Sequence, residues 1–141
     1  MLLKQEGAPM CSVELRTGEC EGRVVIVLRG ELDVGDAASV AAALTEIAAR
    51  ERQIIVDLAG LEFIDSSGLA ALVRVRKYAR HAGGDLLLAA PQQQVLRVLA
   101  VTRLIEVFSV HGCVEEAASS AGRPSLAAAP AAGRPVVVAA T

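Results

Sequence analysis

Aromatic side chains are nearly missing from this sequence, which holds one Tyr, two Phe and no Trp in 141 residues. Their scarcity removes the stacking platforms on which single-stranded nucleic acids bind. Fourteen basic against sixteen acidic residues leave a net charge of -2, so no electrostatic drive toward a polyanion exists either. Nucleic acid is not expected as a partner. Cysteine is sparse: Cys11, Cys20 and Cys113 are widely spaced with no C-x-x-C, which points to neither a disulfide framework nor a zinc site. No apolar run approaches the roughly 18 residues of a membrane span. The opening MLLKQEGAPM also lacks the continuous apolar stretch of a signal peptide, so a reducing cytoplasm without membrane contact is the expected setting.

Catalytic motifs are lacking too. No G-x-x-x-x-G-K-[ST] phosphate loop occurs. A nucleophile elbow needs a glycine two residues before its serine, where Ile64 and Asp65 stand before Ser66 and Ser67. His81 and His111 are far apart and have no acid-and-cysteine cluster, so they read as solvent-facing or helix-end residues. No enzyme, cofactor or metal is expected.

What the chain does have is aliphatic residues, most of a 53% apolar content, in a length that suits one domain with a real core. CSVELRTGEC alternates and breaks at Gly18 as a half-buried strand does. RVVIVLRG, residues 23–30, is a β-branched run typical of a strand covered on both faces, and the two strands predict a hairpin. Residues 36–50 predict a helix with Asp36 as N-cap and a stripe at Val40, Ala43, Leu44 and Ile47. RQIIVDLAG (52–60) is a second buried strand, and residues 66–82 form the next helix, stopped by Gly83-Gly84. DLLLAA is a third buried strand, Pro91 opens a helix to about Ala100, LIEVF is a last strand, and CVEEAASS begins a terminal helix. The β-β-α-β-α-β-α-β-α order predicts an α/β fold: a mixed, mostly parallel sheet of about five strands with about four helices. Residues 10–118 form the domain, 1–9 a flexible extension, and 119–141 an Ala/Pro/Gly/Ser-rich tail too poor in apolar surface to order. The VVVAA near its end is a weaker candidate for an edge strand.

FIDSSGL, residues 63–69, stands where a buried strand runs into a helix. A serine there projects its hydroxyl toward the free N–H groups of the first turn. The helix dipole favours a phosphate at that place by about 0.3–1 kcal/mol, while Asp65 repels it. The simpler reading is that Asp65 and Ser66 only cap the helix. Gly68 needs a reason beyond capping, because glycine in a first turn weakens a helix by roughly 1 kcal/mol relative to Ala, and a close approach of another surface supplies one. Arg74, Lys77 and His81 share the exposed face of the same helix, opposite Leu69, Leu72, Val73 and Ala79; that face is either solvated or a docking surface.

These motifs carry a resemblance. FIDSSGL is similar to the D-S-S/T-G-L junction of the STAS-domain anti-sigma factor antagonists, and GELD, residues 30–33, resembles that family's loop after the second strand. The likeness covers approximately residues 10–117. It implies a partner-switching module. The unphosphorylated protein would bind an anti-sigma factor that is also a serine kinase and so release a sigma factor; phosphorylation would end the binding, and a serine phosphatase would reset it. By the same resemblance Ser66 is the acceptor, Asp65, Ser67 and Gly68 shape the site, and Glu31 and Asp33 flank it. From their place on the helix that follows, Leu69, Arg74 and Lys77 are expected on the partner surface, and Ser67 is expected to serve the helix cap. A standalone scaffold subunit of a larger assembly is the alternative that the family also contains.

Overall fold

Strand formation follows the β-branched and leucine-rich stretches. In the computed structural model, which describes residues 12–120, these runs give β1 (Val13–Cys20), β2 (Arg23–Leu32), β3 (Gln53–Ile64), β4 (Asp85–Ala89) and β5 (Ser109–His111). The helices between them are α1 (Val34–Arg50), α2 (Ser66–His81), α3 (Gln93–Val101) and α4 (Val114–Ser120). The sheet order is β1-β2-β3-β4-β5, antiparallel in the first pair and parallel in the rest. This is the expected mixed sheet. The 1–9 extension and nearly all of the predicted tail, VVVAA included, lie outside the described residues; the first two tail residues, Ser119 and Ser120, complete α4.

Alternation along the strands divides the core between two faces. Ile26 and Leu28, with Ile54, Val56 and Leu58, and with Leu86 and Leu88, pack under Leu44 of α1, Leu72 and Val75 of α2 and Leu99 of α3. Val25, Ile55, Leu87 and Ala89 point the other way, onto Ala117 and Ala118 of α4. Covering on both faces is what the uninterrupted aliphatic runs required.

Several boundaries differ from expectation. β1 continues through Gly18, and the chain reverses at Glu21 and Gly22, whose φ of 52° and 79° make the tight turn that suits a two-residue hairpin. Helix α1 begins at Val34 with Asp33 as its N-cap, its Oδ1 accepting from Gly35 N at 3.0 Å. Asp36 is buried instead and accepts from Ser12 N (3.1 Å) and Ser12 Oγ (2.9 Å), tying β1's approach to the first turn of α1. GELD is correspondingly strand up to Leu32 rather than loop. Helix α3 starts at Gln93, two residues past Pro91. LIEVF is no strand: Arg103 at φ 67° turns the chain into a 3-10 segment, Leu104–Glu106, whose Leu104 and Ile105 lean on the core, and the edge strand forms after it.

The feature that positions the site is a difference in strand length. β4 pairs with β3 only along Gln53–Asp57, whereas β2 and β3 stay paired to Leu32 and Ile64, with register irregularities between Val27 and Arg29 and between Gly30 and Glu31. The two central strands therefore end in a ribbon that outruns the sheet. Asp65, at its tip, donates its N–H to Leu32 O (3.2 Å) and accepts with Oδ1 from Gly68 N (3.0 Å) and with Oδ2 from Val34 N (3.2 Å). One carboxylate thus serves the first turns of both α1 and α2. Gly68 sits against the ribbon. A β-carbon there would lie 2.7 Å from Ile64 Cγ1 and 2.9 Å from Leu32 O.

Three expectations follow from this packing. Asp65→Ala strips two helix starts of an acceptor and should cost about 2 kcal/mol, read from urea midpoints, with Asp65→Asn losing less because one amide oxygen remains. Gly68→Ala should also destabilise, since overpacking of roughly 1–3 kcal/mol outweighs the gain of about 1 kcal/mol in helix propensity; an unchanged or higher urea midpoint contradicts the close contact. The third concerns His111, half-buried where β5 meets α4, with Nε2 3.3 Å from Ser120 Oγ. Burial pushes its pKa below the ordinary 6.5, against a smaller opposing pull from Glu116. The unfolded chain then takes up the proton first as pH falls, so stability is full above 6.5 and declines as pH drops through 6.5 toward the lower folded value. Comparing wild type with His111→Gln from pH 7.5 to 5.5 should show that slope only in wild type.

Candidate functional site

Ser66 is the first residue of α2 and is exposed, and its hydroxyl has no hydrogen-bond partner among the described residues. The capping that could have occupied it is done by Asp65. Ser67, which the sequence reading gave to the cap, is half-buried and takes no part in it. The two halves of the simple capping interpretation therefore separate: the acid caps, and the serine beside it is left open to solvent.

The ribbon brings the other candidates to the same end of the sheet. Leu32 pairs with Ile64 and Glu31 with Phe63, so Asp33 and Asp65 follow directly at the two strand ends, each at the start of a helix. Glu31 is exposed, Asp33 half-buried. Gly68 and Leu69 are buried and face inward, which means that they shape the junction from below rather than present themselves to a partner. Arg74 and Lys77 are exposed farther along α2. At 1.5 Å and 100° per residue, Lys77 lies about 16 Å from Ser66 along the axis and within about 20° of its face, Arg74 about 80° round.

Three neighbours escaped the sequence reading. Glu62 and Phe63 on β3 and Val34 at the start of α1 are all exposed, Phe63 at 47% and Val34 at 74%. In LEFIDSS the apolar letters look like continuous core, but Leu61 and Ile64 are the buried ones. The irregular register of the ribbon, invisible in a one-dimensional pattern, turns Phe63 outward.

Chemically the site offers an accessible hydroxyl among carboxylates. Asp65 is committed to two backbone N–H groups and Asp33 to one, and neither is hydrogen-bonded to Ser66. Such an arrangement can receive a phosphoryl group at Ser66 Oγ from an external donor. The described residues contain no group of three or more side chains able to hold a metal, and no helix long and apolar enough to cross a membrane. An open depression lined by Thr17, Val24, Ile47 and Glu51 lies at the opposite end of the sheet and does not adjoin the serine.

Comparison with known proteins gives the architecture a lineage. BtrV of Bordetella bronchiseptica, which bears the provisional name of anti-sigma factor antagonist, is 27% identical over 109 residues, 77% of this chain and 94% of its own. The crystal structure of an anti-sigma factor antagonist from Mycobacterium paratuberculosis superposes with a TM-score of 0.71 at 23% identity, over 81% of this chain and 97% of that one. The antagonist SpoIIAA in its unphosphorylated form gives 0.64 at 24% identity, over 75% and 94%. Both structures share the fold. The STAS domain family itself matches residues 15–117, a span that runs from β1 into α4 and takes in the whole ribbon. By that match the chain belongs to the STAS domain family.

Proposed function

We propose that this protein is an anti-sigma factor antagonist switched by phosphorylation of Ser66. The observation that carries the reading is the exposed Ser66 hydroxyl at the start of α2, without a hydrogen-bond partner among the described residues and held in place by a cap that does not use it. Support also comes from the relatives: BtrV is named for this role, and SpoIIAA has been solved in both unphosphorylated and phosphorylated forms.

In this reading the unphosphorylated protein binds an anti-sigma factor serine kinase in the cytoplasm and frees the sigma factor for transcription. The kinase transfers the γ-phosphoryl group of ATP to Ser66. A bond forms between Ser66 Oγ and phosphorus, the β–γ bridge breaks, ADP departs and the hydroxyl proton is lost. The protein acts as binding partner and as substrate, not as catalyst. A phosphate here gains about 0.3–1 kcal/mol from the start of α2, yet it adds -1.5 to -2 units of charge next to Asp65 and Asp33. Folding tolerates that balance at an exposed position. A partner pressed against the same surface does not, because charge desolvated without a counter-ion costs several kcal/mol. A serine phosphatase acting on phospho-Ser66 restores the binding form.

The test uses the purified full chain with each anti-sigma serine kinase of the source organism, with ADP or ATP. Wild type should form a complex with one of them that ATP dissolves; Ser66→Ala should stay bound in ATP, and Ser66→Asp should bind weakly. Both variants should melt within about 5 °C of wild type, which separates switching from unfolding. Phosphopeptide mapping decides the acceptor: label on Ser67, or undiminished label in Ser66→Ala, overturns the assignment, and a complex indifferent to ATP points to a scaffold instead.

A further inference from the structure

The two phenylalanines of the chain have opposite fates. Phe108 is buried at 4% exposure, whereas Phe63 stands out at 47%, three residues before Ser66. Nothing in the fold requires an aromatic ring there, since the ribbon's core contacts are made by Leu61 and Ile64. Its cross-strand neighbour is the exposed Glu31, not another apolar side chain. On the α1 side stands Val34, 74% exposed, whose backbone N–H is bound to Asp65. Placing two large apolar side chains in water close to the switch residue has no folding benefit. It is the pattern of a binding anchor.

Charge around these two residues is mostly acidic, with Arg29, exposed two residues before Glu31 on β2, as a basic exception. Glu31 and Glu62 are exposed beside Phe63, and Asp33 and Asp65 are half-buried at the strand ends. A partner fitting this surface must offer an apolar recess with a basic rim.

We infer that Phe63 and Val34 are the apolar anchors by which the protein docks on its anti-sigma factor, seated in a recess ringed by lysine or arginine side chains. The inference rests on the function proposed above and adds the contact that gives the complex its affinity. Division of labour follows from the chemistry. The anchors contribute burial whatever the state of Ser66. The acidic rim speeds encounter. Phosphorylation acts inside the partner's rim: its basic side chains are engaged by Glu31 and Glu62, so the phosphate added at Ser66, beside the anchors, meets the apolar part of the recess without a counter-ion.

The experiment immobilises the anti-sigma kinase that captures wild type in ADP and measures Kd for Phe63→Ser, Val34→Ser, Ser66→Asp and, as an exposed apolar control outside the surface, Val101→Ser. Phe63→Ser should weaken binding about 30-fold or more, as loss of a central aromatic does. Val34→Ser should weaken it about 10-fold, each with a melting temperature near that of wild type, and Val101→Ser should bind normally. Glu62→Lys should slow association and flatten its salt dependence. If Phe63→Ser proves unstable, Val34→Ser, altered at a largely solvated position, carries the test. Wild-type affinity in a folded Phe63 or Val34 variant, while Ser66→Asp is weak, overturns this inference and leaves the proposed function standing. Failure of wild type to bind any anti-sigma kinase overturns both. A wild-type dimer in gel filtration that Phe63→Ser dissolves assigns the surface to a second copy of this chain and overturns the inference as well.

Discussion

The Asp65 carboxylate is the bond on which the functional end of the molecule depends. With one oxygen on Gly68 N and the other on Val34 N, it fixes where α2 begins and where α1 begins relative to it. Elsewhere α2 is tied to β4 at its far end by Arg76 and Arg80, which pair with Asp85, and most of the remaining contact of both helices is aliphatic packing, which leaves their starts some freedom. Directional hydrogen bonds at the strand ends remove that freedom. Asp33 secures Gly35 in the same way, and the buried Asp36 ties Ser12 to the first turn of α1, so three acids in and around the two helix starts act as structural pins. Ser66, next to Asp65 and bonded to none of these, is therefore an exposed hydroxyl on a rigid mount.

For the proposed switch, which would work by charge, rigidity matters: the kinase has to find the hydroxyl in a fixed place, and the partner has to meet the phosphate at a fixed place too. Were α2 to fray at its start, the added charge could swing into water and its cost to a docked partner would fall. The close seat of Gly68 on Leu32 and Ile64 prevents this by pressing the first turn onto the ribbon.

Much of this was legible in the sequence because aliphatic periodicity is strong and connections are short. The element order, the hairpin, the parallel middle strands and the junction at residues 63–69 all follow from runs that only a doubly covered sheet explains. What failed to read did so for local reasons. Asp36 looks like a cap because it precedes the apolar stripe, yet the true cap lies three residues earlier, where a strand that runs longer than its apolar letters hands over to the helix. LIEVF has the composition of a strand, but a left-handed Arg103 sets its first residues into a 3-10 turn. Gly68 was noticed as a glycine needing a close neighbour; the neighbour is the chain's own ribbon. Phe63 was lost in an apolar string because bulged pairing, not alternation, decides which way it points.

The outer edge of that ribbon has a further consequence. Where β4 stops, β3 would show bare backbone to any passing strand. Instead Ala59 O accepts from Gln92 Nε2 at 2.7 Å, Glu62 O accepts from Gln94 Nε2 at 3.1 Å, and Ala59 N turns back onto Asp57 Oδ1 at 3.0 Å. Two glutamines and an aspartate thus stand in for the missing continuation of β4. Backbone pairing with a foreign chain, the commonest way for an open sheet to recruit or aggregate, is closed off at this point, and recognition there has to pass through side chains.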